Sequence, residues 1–585
     1  MRHSAVALRA RFLALATLIP CAGLAQSPAA PKELPLKYAG GPTTPAITAA
    51  DLMTRLYIYA DDSMMGRSAG TEYNVKATAY LEREVRRLGL KPAGDSGGYF
   101  QYLPVVARAI DTTSTITVEG VTFRAGVDFL AGSSARRVTQ LTGMPVVFGG
   151  MLYDTLNIPA PETFKGKVVL FRPFVPPPGF TGQGFVSSNG FQAFRRALSA
   201  VAVHVEVRWD RIPPSVLRGA RNPSDVTFLR QDEGLPSLNV TTRVAEAMLG
   251  GPLLSATKGA AGRAVSSDIR FTETPRPTRN VVAILPGTDP KLRGQYVAIG
   301  AHNDHVNCAI AGGCRPPVEH DSLLAFMRLV RPQGADNPRA QPTPVQDELV
   351  RSTTDSLRKL HPARLDTIYN GADDDGSGSV SVLEIAEAFA KGRPTPLPKR
   401  SILFIWHVGE EMGLWGSAWF TDHPTVPRDS IVAALNLDMI GRGAATDVTG
   451  QDKDGGLLHG GPGYVQLVGS RRLSTELGDL VEQVNTGARL GMRFDYAMDA
   501  NGHPQNIYCR SDHWSYARYG IPVVFFTTGG HAEYHQVTDE PQYIEYDHMA
   551  QVAQLVYESA LKVAALDHRV KVDKPKPDPK GPCVQ

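Results

Sequence analysis

The stretch Tyr296-Val-Ala-Ile-Gly-Ala-His-Asn-Asp-His305 joins a solid apolar run to a cluster of polar, metal-type side chains. Beyond Asn280 the same kind of run occurs at 281–285, 296–300, 402–406, 432–437 and 521–526. None of them alternates apolar with polar residues, so each reads as a strand buried on both faces. Helical patterns separate the runs, and at 379–391 Val382, Ile385, Ala386 and Phe389 share one face. The expected fold class is α/β, with a mixed, mostly parallel central sheet flanked by helices. Such sheets collect ligands just beyond the carboxyl ends of their strands. That is where the polar clusters fall. Ala301-His302-Asn303-Asp304-His305 follows the second run, and Gly371-Ala-Asp373-Asp374-Asp375-Gly-Ser-Gly378 precedes the helix. His407-Val-Gly-Glu410-Glu411 follows the third run, Asp438 the fourth, and Glu533-Tyr534-His535 the last.

Each cluster alone has an ordinary reading. A His-x-Asp pair is commonly structural, three consecutive acids suit a helix N-terminus, and Glu410-Glu411 suits a solvated helix start. The acids cannot form a helix-loop-helix calcium loop, which needs them two residues apart. Together, histidines and several carboxylates gathered at strand ends point to a metal-dependent enzyme. Gly66-Arg-Ser68-Ala-Gly70 and Gly94-Asp-Ser96-Gly-Gly98 both fit Gly-x-Ser-x-Gly. Neither follows an apolar strand that turns into a helix, so a serine nucleophile is not expected.

Outward from this half, a helix is expected over 74–88, stopped by Gly89. Residues 115–272 change to short β-type runs at 115–118, 145–148, 167–171, 201–207 and 237–240, between Gly and Pro clusters such as Pro176-Pro-Pro-Gly179. This is the pattern of a β-rich domain inserted into a catalytic domain made of 47–114 and 273–565. Residues 306–370 interrupt the rhythm as a polar, Pro-containing insertion, expected to form a lid or a rim over the site. Residues 26–46 read as a linker and 566–585 as a disordered tail with nothing to bury.

The chain has 61 Lys+Arg against 58 Asp+Glu. Residues 1–25 hold Arg2, Arg9 and Arg11 and no carboxylate, and have the basic start, short apolar run and small residues of a cleaved secretory signal. Without them the charges balance, which removes any electrostatic case for nucleic-acid binding. Export to the periplasm or the extracellular space is expected. Pro20 disfavours a lipid anchor at Cys21, and no stretch is long enough to span a bilayer. The remaining Cys308, Cys314, Cys509 and Cys583 suit disulfides in an oxidising compartment, with Cys308–Cys314 near enough in sequence to close a small loop.

The ordered set His302-Asn-Asp304, Gly371-Ala-Asp-Asp374, Glu410-Glu411-Met-Gly-Leu-Trp-Gly-Ser417, Asn436-Leu-Asp438-Met-Ile-Gly-Arg442 and Tyr534-His535 resembles family 28 of the metallopeptidases. This is the di-zinc exopeptidase family of bacterial leucyl aminopeptidases, glutamate carboxypeptidase and transferrin-receptor-like proteins. The resemblance extends over most of 47–565, and the β-rich insert, with Phe164-Lys-Gly-Lys-Val-Val-Leu170, is similar to a protease-associated domain. It implies one zinc on His302 and Asp438, a second on Glu411 and His535, and Asp374 bridging them, with manganese or cobalt as alternative ions. It implies Glu410 as general base, Asp304 as the carboxylate orienting His302, Tyr534 as oxyanion donor and Arg510 as a substrate contact. His305, His407, His513 and His531 fall outside the five-ligand pattern and read as structural or pocket lining. The implied activity is an aminopeptidase acting on peptides. Alternatives are a carboxypeptidase or dipeptidase of the same family, a glutaminyl-cyclase-type acyltransferase, or a silent binding module.

Overall fold

The apolar runs meet side by side because each has two faces to bury. The computed structural model describes residues 34–131, 139–152, 161–173, 203–221, 226–229, 237–306, 317–337, 340–360, 362–392 and 394–585. The expected export segment, Cys21 and the suggested Cys308–Cys314 pair lie outside the described residues. Along the chain, the central sheet consists of β1 (Lys91–Pro92), β2 (Phe100–Tyr102), β3 (Arg279–Leu285), β4 (Tyr296–His302), β5 (Ser401–His407), β6 (Ile431–Leu437), β7 (Tyr464–Val468), β8 (Arg493–Asp495) and β9 (Val523–Thr527). Its order is β1-β3-β5-β4-β6-β9-β7-β8, with β2 also paired to β3. Strands β5, β4, β6 and β9 run parallel. Antiparallel β3 and β7 flank them, and at the edge β8 pairs parallel with β7, so the sheet is mixed.

Successive side chains enter opposite cores. Val297, Ile299 and Ala301 of β4 join one cluster with Leu52, Leu81, Val382 and Met549, while Ala298 joins another with Phe420, Tyr516 and Ala517. The helices Ala49–Tyr59, Glu72–Leu88, Gly378–Lys391 and Tyr546–Ala565 therefore cover one face, and Trp415–Asp422 and His513–Ala517 cover the other. At about 1.5–3 kcal/mol per fully buried large apolar side chain, a polar residue on either face would be costly, which is why the runs do not alternate. The chain passes from β4 through Gly378–Lys391 to β5 on one face, then through Trp415–Asp422 on the other face to β6. The carboxyl end of β4 thus lies where connections depart to opposite sides, the position at which open α/β sheets form a crevice.

Helix Glu72–Leu88 begins where the Thr71 side chain accepts from Asn74 N. It ends at Gly89, whose φ of 80° a residue with a Cβ adopts reluctantly. Among the described residues between β2 and β3 the chain forms a five-stranded and a four-stranded sheet around a shared core that includes Phe148, Val205, Val240 and Val265. Strand Val105–Ile110 pairs antiparallel with Phe271–Pro275. The chain thus enters and leaves this β-rich region through neighbouring antiparallel strands. Among the described residues no helix is long and apolar enough to cross a membrane.

The expectation of a disordered tail is overturned. Val570 is buried, Arg569 donates to the carbonyls of Asp429 and Ile431, and Cys583 forms a disulfide with Cys509. Composition alone missed this, because one buried valine, one cysteine and backbone pairing such as Asp573 N to Leu473 O anchor a segment that is otherwise polar. The disulfide spans a sequence separation of 74, and closing a loop of that size stabilises by up to about 4 kcal/mol through the unfolded chain. Cys583→Ser is accordingly expected to melt at a lower temperature than the wild type under non-reducing conditions. Equal melting temperatures would show that the bond contributes nothing.

Candidate active site

The site assembles at the carboxyl ends of the parallel strands. His302 closes β4, and the Nδ1–H of its imidazole donates to the backbone carbonyl of Asp304 at 3.0 Å. That bond presents Nε2 to Asp374 Oδ1 at 3.1 Å and Asp438 Oδ1 at 3.6 Å. The other carboxylate oxygen of Asp374 faces His535 Nε2 at 2.9 Å, and Glu411 Oε2 lies 3.0 Å from the same nitrogen. The structure thus brings together all five residues of the expected set, with Asp374 between two groups. Ligand atoms of His302, Asp374 and Asp438 lie within 4.8 Å of one another, as do those of His305, Asp374, Glu411 and His535.

His305 is the member that sequence reasoning left out. Its Nδ1 lies 3.0 Å from Glu411 Oε1 and 3.7 Å from Asp374 Oδ2. A second histidine three residues after the first was visible, but the direction of the chain beyond β4 was not.

The three consecutive aspartates do three different jobs. Asp373 accepts from Gly441 N and faces His531 Nε2 at 3.1 Å. Asp375 accepts from His302 N at 3.0 Å and Gly378 N at 2.9 Å, serving the start of the following helix. Only Asp374 turns into the site. Asp539 accepts from the amides of both Asp373 and Asp374, which holds the loop in place.

Asp304 stands beside His302 and makes further contacts. Its carboxylate lies 3.8 Å from His302 Nδ1 and also accepts from Gly409 N at 2.7 Å and Glu410 N at 3.2 Å. The backbone carbonyl accepts from the imidazole, and the carboxylate beside it also positions the turn that carries Glu410. Asp438 accepts from Ser511 Oγ at 2.7 Å, and Ser511 in turn receives Asn436 Nδ2 at 2.9 Å. Next to Asp438, Met439 has φ 56°, and His535 has φ 58°. Side chains with a Cβ occupy this region at a cost of order 1–3 kcal/mol, and such residues cluster at functional sites. The Met439 carbonyl is held by Thr528 N at 2.8 Å and by the hydroxyls of Thr527 and Thr528.

Of the remaining histidines, His407 meets the Tyr516 hydroxyl at 3.1 Å, His513 stacks on Phe525 and His531 lies between Asp373 and Glu533. Ser68 is buried and Ser96 lies in an exposed turn; neither lines the pocket.

The donor set calls for positive charge. His302 Nε2, His305 Nδ1, Glu411 Oε1 and His535 Nε2 are buried, yet among the described residues none makes a hydrogen bond of acceptable geometry. Burial opposes charge on Asp374, but His302 and His535 outweigh it and hold this carboxyl well below its usual range. Burial likewise disfavours the charged forms of His302 and His535, yet Asp438 and Glu411 respectively drive them well above theirs. Glu410 moves the opposite way from Asp374: burial, with Asp438 and Glu411 nearby, raises its carboxyl well above the ordinary value despite His302. Imidazole nitrogens and carboxylate oxygens converging in a water-poor space are the ligands zinc prefers, and the two groups fit it.

A pocket of about 360 Å³ opens onto these residues. Asp374, Glu410, Glu411 and Asp438 line one side, and Met439, Met498, Ile507 and Phe525 form an apolar wall. Tyr534 and Arg510 stand at its edge, with Arg510 Nη2 3.4 Å from the Tyr534 hydroxyl. Gln333 and Asp336, from the insertion, also line it.

Residues 280–560 match the peptidase family M28 profile, and this span contains every residue of the two groups. The chain carries a peptidase family M28 domain. Over 205 residues it is 32% identical to leucine aminopeptidase 1 of Paracoccidioides brasiliensis, covering 32% of this chain and 47% of that relative. It is 30% identical over 224 residues to leucine aminopeptidase 1 of Ajellomyces capsulatus, covering 36% and 52%. The chain spans about half the length of the curated relatives it matches. Among solved structures it is similar to an aminopeptidase from Aneurinibacillus sp. strain AM-1, with 14% identity, 91% of this chain and 97% of that chain covered, and a TM-score of 0.42. The zinc aminopeptidase BSAP from Bacillus subtilis gives 15% identity, 91% and 96% coverage and a TM-score of 0.42. The M28 domain begins within β3 and ends in the helix Tyr546–Ala565, so it contains the parallel centre of the sheet and the insertion.

Proposed function

We propose that this protein is a zinc-dependent exopeptidase that removes N-terminal residues from peptides. The observation that carries the reading is Asp374, whose two oxygens face two separate groups of imidazole and carboxylate donors beside Glu410. His302 and Asp438 would hold one ion, His305, Glu411 and His535 a second, and Asp374 both. Zinc at such a site supplies Lewis acidity, polarising a carbonyl and lowering the pKa of a water.

The chain's own groups do the rest. Glu410 takes the proton of the attacking water on its carboxylate and returns it to the leaving amine nitrogen. Asp304 fixes the amide of Glu410, and with it the direction from which the base approaches. Ser511 and the Thr527–Thr528 hydroxyls hold Asp438 and the turn after it, so the donors are in place before substrate arrives. Tyr534 directs its hydroxyl proton toward the developing oxyanion. The wall of Met439, Met498, Ile507 and Phe525 receives an apolar substrate side chain.

The names of the curated relatives, both leucine aminopeptidases, support aminopeptidase polarity. A carboxypeptidase or dipeptidase would use Arg510 for the substrate carboxylate, but this guanidinium is already paired with Asp336. Arg9, Arg11 and the apolar run that follows support export, and the similarity of the β-rich insert to a protease-associated domain completes the reading.

The deciding assay compares matched peptides with a free amine, an acetylated amine and an amidated carboxyl end. Hydrolysis of the free-amine and amidated peptides, with none of the acetylated one, is expected. Cleavage of the acetylated peptide but not the amidated one would reverse the polarity.

A further inference from the structure

The insertion 306–370 contributes to the pocket directly. After the helix His320–Val330 the chain makes a tight turn, Gly334–Asp336, against the loop that carries Tyr534 and His535. Ala335 N donates to the Tyr534 carbonyl at 3.1 Å. Gly334 has φ 57°, and a Cβ there would stand 2.7 Å from the carbonyl oxygens of both His531 and Tyr534, so backbone lies against backbone. Outside the pocket, Arg328 pairs with Glu533 at 2.7 Å, and His320 with Glu540 at 2.8 Å, tying the insertion to the same segment. The turn is thus held in register with the catalytic loop, and its last residue reaches over the rim.

That residue, Asp336, meets Arg510 through both carboxylate oxygens, at 3.2 and 3.3 Å. The side chains are 29% and 37% exposed, so an incoming substrate can reach the pair. Among the described pocket-lining residues Arg510 is the sole arginine or lysine. Without Asp336 it would present an open two-pronged site for a carboxylate. With Asp336 in place that site is filled, and a second carboxylate brought to it meets a like charge. In a dipeptide the free carboxylate lies one residue beyond the scissile carbonyl, within about 4–5 Å of it given the ~3.8 Å spacing of consecutive Cα atoms. With Tyr534 read as the oxyanion donor, Arg510, 3.4 Å from its hydroxyl, lies on the side of the pocket next to the scissile carbonyl.

We propose that Asp336 is a specificity-determining residue that closes Arg510 to substrate carboxylates, so that the enzyme favours longer or C-amidated peptides over dipeptides. The proposal rests on the exopeptidase reading above and assigns to the insertion a choice between substrates of the same reaction. The metal donors and Glu410 are unaffected by it.

The test measures kcat and KM for Leu-Ala and Leu-Ala-amide with the zinc-loaded wild type, Asp336→Asn, Asp336→Glu and the double variant Asp336→Asn/Arg510→Gln. The wild type is expected to prefer the amide. Asp336→Asn should shift the ratio toward the free acid by about tenfold, the scale of a close charge pair, chiefly through a lower KM for Leu-Ala. Asp336→Glu should restore the wild-type ratio, and the double variant should lose the gain. A ratio unchanged in Asp336→Asn, with zinc content and melting temperature as in the wild type, overturns the proposal, as does a gain that survives loss of Arg510. Should Asp336→Asn fail to fold, salt provides a second arm: the wild-type preference for the amide should narrow from low to high ionic strength, and a salt-independent preference also overturns it. If the wild type hydrolyses neither substrate, the exopeptidase reading falls as well, whereas hydrolysis with an unmoved ratio removes only this inference.

Discussion

Glu410→Gln is expected to lower kcat by about 10²–10⁴-fold while KM, zinc content and melting temperature stay near wild-type values. Glutamine keeps the size of the side chain and both neighbours of its turn, because Asp304 holds Gly409 and Glu410 through their amides. What it loses is the carboxylate oxygen that accepts and returns a proton. The substitution also removes a buried acid that is crowded by Asp438 and Glu411. The folded state therefore has no reason to weaken, and a stability gain would fit the same picture. Steady-state kinetics combined with zinc measured by mass spectrometry checks the point. Activity within about tenfold of wild type would remove Glu410 from the chemistry, since general base catalysis contributes more than that.

Asp374→Ala should have a different signature. Its two oxygens face His302 and His535, so its loss is expected to strip zinc from both groups and abolish activity together with metal. Removing one partner from a buried charged cluster leaves the others uncompensated, at a cost of about 3–5 kcal/mol, so a lower melting temperature should accompany the loss. His305→Ala serves as the contrast. His305 faces Glu411 and Asp374 on one side only, so it should weaken retention of a single ion by about 10–100-fold and leave the other in place. Zinc titration of the demetallated protein reads both outcomes. If Asp374→Ala keeps two ions, the shared-donor arrangement is wrong; if His305→Ala binds zinc as the wild type does, His305 is only a packing residue.

The strands were legible because burial on both faces leaves an unbroken apolar run, and the two cores above and below β4 account for that pattern. The helix over 74–88 was legible from its spacing and from Gly89. The tail was misread, since a composition argument counts apolar residues and cannot count the disulfide that ties Cys583 to Cys509. Asp304 was placed beside His302 by its two-residue spacing, but that spacing does not show that its carbonyl also meets the imidazole or that its carboxylate also holds the turn before Glu410.

By itself, then, the sequence determined the α/β class, the strand ends at which chemistry would gather, and the residue types available there. Those features are local: they depend on periodicity and on covalent neighbours. The tertiary structure decided which of Asp373, Asp374 and Asp375 faces the site, that His305 joins it, and that an insertion remote in sequence sets Asp336 against Arg510 at the pocket's edge. These facts depend on strand order, on the path of the chain past β4 and on backbone contact at Gly334, all set by packing between segments far apart in the chain.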